Sequence, residues 1–364
     1  MTSREVVTAL VRDKECPERM GVHESFWPDL RPTWEREGLP TGASFLDYFD
    51  LDIHPVNEEW FSTEPLVGAK HVVAEDDTTY VEENGWGSRM RFWKNKAGTP
   101  EHVSFGLGSE DAWRRLREPL RGFDERRLGD AAKLRAEYGR LARGSRFRVF
   151  EVLQLVEIMR KAMGDVVMLE AMCLAPAWIT DFCTVLTDNI ITHLDRALSL
   201  IGRPDGIWFY EDLAFSRQPF FSPEMYRGLI MPHHARFVRF CHDLGLPVFM
   251  HTCGNVEPLF PDLLSIGIDC LQPLEVKAGM DVARLARSAT RRIAYIGGMD
   301  VRAFETNDPA RLEAEVLPKL AAIRRARVPY ICQSDHSIPG TVRLSTYRHA
   351  RGLFRQQGRY EEAN

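Results

Sequence analysis

The chain has 364 residues, 44% hydrophobic and 27% charged, enough to bury a sizeable core and to fill one α/β barrel with insertions. A formal net charge of -5 excludes the broad basic surface of a nucleic-acid binder, and Arg114, Arg115 and Arg117 read as a solvated helix face. No apolar run approaches the ~20 residues of a membrane span. The 7 cysteines are scattered, and the opening Met1-Thr2-Ser3-Arg4-Glu5 has no apolar leader character, so free thiols in a reducing cytoplasm are expected.

Up to about Gly144 the chain is irregular, rich in Trp, Pro and acidic residues. Val81 to Trp93 has strand character broken by Gly85 and Gly87, Lys94 to Thr99 is a turn signal, and Val103 to Leu107 is another short strand. Asp111 to Arg121 reads as a polar amphipathic helix. From residue 145 to 364 the texture is regular. Short apolar runs at Phe147–Leu153, Ile207–Tyr210, Val248–Met250, Cys270–Leu274, Ala294–Ile296 and Tyr330–Cys332 alternate with helical patterns such as Pro223–Asp243, Val256–Ser265, Val282–Ser288 and Pro309–Arg325. Strand–helix alternation means parallel strands. No GxGxxG follows the first strand, which removes the main support for a dinucleotide-binding sheet. The expected architecture is therefore a single-domain (β/α)8 TIM barrel over 1–364, with an irregular N-terminal extension over the barrel mouth. Function is expected at the loops that follow the strands.

Three strand ends carry chemistry. In Phe249-Met250-His251-Thr252-Cys253-Gly254-Asn255, His251 and Cys253 share a face if the pleat continues, and an imidazole and a thiolate together suit zinc. Gly254 lets the backbone leave sharply. The competing reading is a hydrogen-bonded histidine beside an inert buried thiol. The last strand runs into Cys332, Asp335 and His336, which are candidates for a third ligand or an acid/base group; alternatively Asp335 and Ser337 only cap the turn. Trp208-Phe209-Tyr210-Glu211-Asp212 ends in two carboxylates. Alternation sends only one inward, to work as an acid or base or to hold a substrate amine or metal, unless the pair only caps the next helix. Phe49-Asp50-Leu51-Asp52-Ile53-His54 repeats the acidic strand end more weakly.

Taken together, the segments ESFWPDLRPTWEREGLP, DDTTYVEENGWGSRMRFWKNKAGTPEH, FYEDLAFSRQPFFSPEMYRGLIMPHHARFVRFCHDLGLPVFMHTCGNVEPLFPDLLSIGIDCLQPLE, IGGMDVRAF and DHSIPGTVRLSTY resemble the uroporphyrinogen decarboxylase superfamily along nearly the whole chain. That resemblance implies a (β/α)8 barrel. The metal-free decarboxylases of the superfamily grip tetrapyrrole carboxylates with arginines of an N-terminal RQAGR-type motif. Here the corresponding stretch is Met20-Gly21-Val22-His23-Glu24-Ser25-Phe26-Trp27, with no arginine to clamp a polyanion. The other branch holds zinc-dependent methyltransferases that work with corrinoid proteins, and its His-x-Cys pair is matched by His251 and Cys253. Its third ligand, a cysteine near the last strand, falls on Cys332 or Asp335; an unbroken pleat cannot send both inward, and thiolate chemistry favours Cys332.

The resemblance thus implies a zinc-dependent methyltransferase that moves a methyl group between a small-molecule thiol or methoxy compound and a corrinoid (cobalamin). Glu211 or Asp212 would orient the substrate and His336 would shuttle a proton. No DxHxxG-type corrinoid signature is present, so the corrinoid is expected free or on a separate partner protein. A monomer or homodimer without nucleic-acid or membrane partners is expected. Two alternatives remain at this level: a decarboxylase or lyase on a small acidic substrate without corrinoid, and a non-catalytic binding protein that keeps the barrel.

Overall fold

The computed structural model describes residues 1–56, 60–289 and 292–360. Strands β1 (Gly21–Val22) and β2 (Ile53–Val56) come first. Strands β3 (His71–Glu75), β4 (Thr79–Glu83), β5 (Arg89–Trp93) and β6 (Glu101–Ser104) follow. After β7 (Phe147–Leu153) and β8 (Gly206–Tyr210) comes a small hairpin of β9 (Ala214–Phe215) and β10 (Gln218–Pro219). The chain then lays down β11 (Val248–His251), β12 (Cys270–Gln272), β13 (Ala294–Ile296) and β14 (Tyr330–Cys332). Eight of these form one parallel sheet in the order β1-β14-β13-β12-β11-β8-β7-β2, nearly closed as a barrel with helices outside.

The seam lies between β1 and β2, and one residue bridges it. The Asp52 N–H donates to the Val22 carbonyl at 2.8 Å, while the Asp52 carboxylate accepts the Val22 N–H at 2.8 Å. The same carboxylate takes a two-pronged grip from Arg19, at 2.6 and 2.7 Å, and is 1% exposed. The acidic strand end around Asp52 thus serves barrel closure. Both β1 and β2 sit in the irregular-looking N-terminal part, too short to show a period.

The six apolar runs fall on barrel strands β7, β8, β11, β12, β13 and β14. The last two coincide with the expected ranges, and Cys270–Leu274 stops at Gln272 because Pro273 cannot continue the ladder. Pro223–Asp243 is not one helix. A π turn at Tyr226–Ile230 separates a short first turn from Met231–Asp243, where Pro232 lacks the N–H an α-helical ladder requires. Inside the barrel an aromatic column rises from Phe147 through Phe249 and Trp208 to Tyr210, with ring centroids 5.4 to 6.2 Å apart. Phe209 points the other way, into Phe237 and His234 of the helix layer.

The antiparallel sheet β3–β6 stands outside the barrel. Ser88 Oγ donates to the Ala162 carbonyl and Leu107 N–H to the same oxygen, and Phe105 crowds Gly164 of helix Leu155–Leu174. At Gly164 the helix kinks with φ 74°, and a Cβ would lie 2.5 Å from the Phe105 ring, so only glycine fits. The Arg114 and Arg117 side chains pair with Glu110, Asp111, Glu118 and Asp181, consistent with a solvated helix face. Among the described residues no single helix is long and apolar enough to cross a membrane.

The seam makes a prediction. Asp52→Asn leaves Arg19 without its charge partner and weakens the β1–β2 bridge, and should cost about 3 kcal/mol of unfolding free energy. Chemical denaturation followed by circular dichroism measures it; a loss under about 0.5 kcal/mol, the size of an ordinary surface change, would remove Asp52 from this role.

Candidate active site at the barrel mouth

The C-terminal ends of β8, β11 and β12 bring the candidate residues together. Tyr210, His251 and Gln272 are register neighbours on these three strands, so they lie side by side at one level. Tyr210 stacks on the His251 ring at 4.6 Å, and Gln272 Oε1 accepts the His251 Nδ1–H. That bond fixes the tautomer with the proton on Nδ1 and leaves the Nε2 lone pair free. His251 Nε2 lies 3.5 Å from Cys253 Sγ and 3.5 Å from Asp212 Oδ1.

The loops are splinted by carboxylates. The Cys253 N–H donates to Asp212 Oδ1 at 2.8 Å, and the Gly254 N–H donates to Glu275 Oε2 at 2.6 Å. Gly254 adopts φ 76°, and a Cβ there would fall 2.7 Å from the Ala214 Cβ, so the chain leaves the strand as a glycine allows. Glu275 Oε1 is also 3.3 Å from Lys277 and 3.9 Å from His336 Nε2.

Two overlapping groups of possible ligands result: Asp212, His251 and Cys253, and Cys253, Glu275 and His336, with the ligand atoms of each group within 4.8 Å of one another. Burial pushes the Cys253 thiol well above its ordinary range, and Asp212 and Glu275 push it further. Burial likewise pulls His251 down, toward the neutral form that ligates metal. A neutral imidazole, a thiol and carboxylates at one point, with Lys277 beside Glu275 and Arg160 4.0 Å from Asp212 as nearby cations, fit a divalent ion that would turn the thiol into a thiolate. Glu275 was missed by strand-end reading, although it stands three residues past Gln272 in Cys270-Leu271-Gln272-Pro273-Leu274-Glu275.

Other expected site residues go elsewhere. Cys332 lies on the opposite side of the pleat from Ile331. The Ile331 side chain reaches to 2.8 Å of where a Gly21 Cβ would stand, whereas Cys332 is fully buried with Arg351, Asp52 and Arg19 as its nearest charges. It therefore does not join the His251–Cys253 group. Asp335 is 1% exposed and has both oxygens occupied, Oδ2 by the Val276 N–H and Oδ1 by the Val301 N–H, so it ties loops together. Glu211 is fully buried. It accepts the Val156 and Glu157 N–H groups at the start of helix Leu155–Leu174 and bonds His234 Nε2 at 2.8 Å. This is the capping alternative, with the cap belonging to the helix after β7. Of the two acids only Asp212 faces the mouth, as alternation requires.

Beside this group lies a cavity of about 520 Å³. Tyr210 and Gln272 form its border with His251, and Phe26, Phe45 and Trp208 supply aromatic walls. Glu24 and Glu151 also line it. Burial pushes Glu24 up to about 8 and Glu151 up to about 7. Glu24 accepts from the Ser334 hydroxyl and backbone and from the Ser25 N–H; Glu151 Oε1 faces the Tyr210 hydroxyl at 3.5 Å.

Residues 155–352, over half of the chain, match the profile of the family described as Uroporphyrinogen decarboxylase (URO-D). No curated protein matches the chain significantly. Among solved structures, a methyltransferase from Methanosarcina mazei is similar over 98% of this chain and 99% of that chain, with a TM-score of 0.61 and 10% sequence identity. A Xaa-Pro dipeptidase with bound methionine aligns with 63% of this chain and 56% of its own at 12% identity, with a TM-score of 0.31 that carries no argument. At 10% identity the first likeness is one of fold.

The placement of Glu211 is testable. Glu211→Ala strands two helix N–H groups and His234 in a dry interior, so it should lower stability by about 3 kcal/mol. Asp212→Ala should change stability by under about 1 kcal/mol. Equal losses in the two variants, measured by urea denaturation, would contradict the assignment.

Proposed function

Because the chain belongs to the uroporphyrinogen decarboxylase family, we propose that it is the methyl-transferring kind of member: a zinc-dependent methyltransferase moving a methyl group between a small-molecule thiol or methoxy compound and a corrinoid. The observation that carries this reading is the convergence of His251 Nε2 and Cys253 Sγ at the mouth, with Gln272 holding the imidazole proton on the far nitrogen. The whole-length fold likeness to a methyltransferase supports it.

His251 and Cys253 would hold the metal, with Asp212, or Glu275 and His336, completing the set. Zinc bound there would supply Lewis acidity, which lowers the pKa of a coordinated thiol or makes a coordinated ether oxygen a better leaving group. The chain's own residues do the rest. Tyr210 braces the His251 ring, Gln272 sets its tautomer, and Asp212 and Glu275 fix the loop that carries Cys253. His336, partly exposed beside Glu275 and Asp335, is placed to pass a proton to solvent. For a methoxy substrate a reduced corrinoid would supply the nucleophile that accepts the methyl group, and the substrate oxygen left with the electron pair would take up a proton. The corrinoid comes free or on a separate protein. The sheet β3–β6 is read as part of a cover for this mouth, since Tyr80, Phe92 and Trp93 face Trp27–Asp29 across a cleft beside β1.

A carboxy-lyase acting on a small acidic substrate is the second reading. Glu24 favours it, because a buried carboxyl that keeps its proton near neutral pH can deliver that proton to a carbanion.

Two experiments test the assignment. Protein purified without chelator should carry about one zinc per chain. His251→Ala and Cys253→Ala should each lose it by elemental analysis, while Cys332→Ser should keep it; full retention in both of the first two variants overturns the metal site. In the second, cobalamin spectra should report zinc-dependent methylation with a thiol or methoxy donor or acceptor. Carbon dioxide release without corrinoid, unaffected by His251→Ala, would transfer the protein to the second reading.

A further inference from the structure

The cavity beside His251 has a chemical character that narrows the substrate. Its broad faces are Phe26, Phe45, Trp208 and Tyr210, and its volume of about 520 Å³ falls in the range of small-molecule sites, roughly 300–1,000 Å³. Four aromatic faces around one space suit a flat ring.

The polar groups of the lining offer an anion no fixed counter-charge. Glu24 and Glu151 line the cavity, and Asp212 and Glu275 stand just beyond His251. The one arginine in the lining, Arg31, donates to the Ala43 carbonyl, lies over the Phe45 ring at 4.3 Å and pairs with Glu35 at 3.7 Å. Its side chain is 39% exposed, so it belongs to the rim. A carboxylate, sulfonate or phosphate inside would find no buried arginine or lysine among the lining residues to pair with.

The lining also offers buried polar atoms without a partner. Trp208 is 1% exposed and its indole N–H finds no acceptor among the described residues. The neighbouring His23, 5% exposed and 5.2 Å from the Trp208 ring, has an unpartnered Nδ1. Among the described residues Glu151 makes only the 3.5 Å contact to Tyr210, which leaves it able to bond a ligand hydroxyl.

From these features we propose that the cavity takes an uncharged planar ring bearing a hydroxyl and an ether oxygen, a phenolic methyl ether, with Glu151 bonding the ring hydroxyl and the methoxy group turned toward His251 and Cys253. This rests on the methyl-transfer reading and names the substrate class for it. Glu151 is then a specificity-determining residue, one that nothing in the strand-end pattern singled out.

The test is equilibrium binding of 2-methoxyphenol to the full-length, metal-loaded protein, followed by calorimetry and by tryptophan fluorescence. The comparison ligand is the same ring carrying a carboxylate opposite the hydroxyl. The uncharged ether should bind at least about tenfold more tightly than the carboxylate, the equivalent of one unpaired charge–charge or hydrogen-bond term. Glu151→Ala should weaken the uncharged ether by about tenfold and Glu151→Gln, which keeps a hydrogen-bonding amide, by under about threefold. Equal or tighter binding of the carboxylate, no binding of the ether at millimolar concentration, or an unchanged affinity in Glu151→Ala overturns the proposal. The wild-type comparison stands even where a variant fails to fold. Selective binding without methylation of cobalamin would instead leave the substrate pocket in place and remove the methyl-transfer reading.

Discussion

The pleat at the C-terminal ends of the barrel strands decides what this molecule can do. Each strand sends one side chain into the mouth and the next into the helix layer. Tyr210, His251 and Gln272 share a level on three adjacent strands and face inward together. The residues that alternate with Tyr210, namely Phe209 and Glu211, are committed to packing and capping. Because the strands are hydrogen-bonded in fixed register, a one-residue slip in β11 would turn His251 outward and Met250 inward. The ladder to β8 and β12 and the buried faces of Val248 and Met250 hold that register.

Carboxylates stabilise what the pleat has sorted. Asp52 bridges the seam between β1 and β2, Glu211 caps the helix after β7, Asp212 and Glu275 hold the two N–H groups that follow Thr252, and Asp335 ties Val276 to Val301. In each case an acid satisfies backbone donors that no ladder reaches, at points where strands give way to loops. The acidic composition of the mouth is thus largely structural, and it has a chemical consequence. Several negative groups gathered around Cys253 oppose a thiolate there until a cation balances them.

Much of this was legible in the sequence where the chain repeats a strand–helix unit, and little where it does not. β7, β13 and β14 announce themselves as apolar runs, and His251-x-Cys253 followed by Gly254 can be read as two side chains on one face before a sharp exit. By contrast β1 and β2 are two and four residues long, below any period, and are held largely by partners far along the chain. Cys332 was expected beside His251 and Cys253, and stands apart from them, for a related reason. Thiol chemistry recommends it, but which residues of β14 face inward follows from its register with β13 and β1, which no local pattern reveals. Glu151 stayed hidden because, within Phe147–Leu153, one acid in an apolar strand reads as an exception, and only the assembled barrel shows that it faces Tyr210.

The same barrel can serve opposite chemistries because the fold sets where groups stand and leaves their charge to the sequence. A site that binds a polyanionic ring needs cations fixed on the wall, and the segment after β1 is where this chain places His23, Glu24 and Phe26 instead. Burial then favours the neutral forms of both His23 and Glu24, so that wall presents hydrogen bonds and an aromatic face in place of a counter-charge. The group of Asp212, His251 and Cys253 lies beyond Tyr210 and Gln272, where acids and a thiol accumulate. The mouth is therefore divided by two side chains into a nearly neutral aromatic chamber and a cation-seeking corner. On the proposed function, that division would hold a substrate by its shape in one while its reacting atom is polarised in the other.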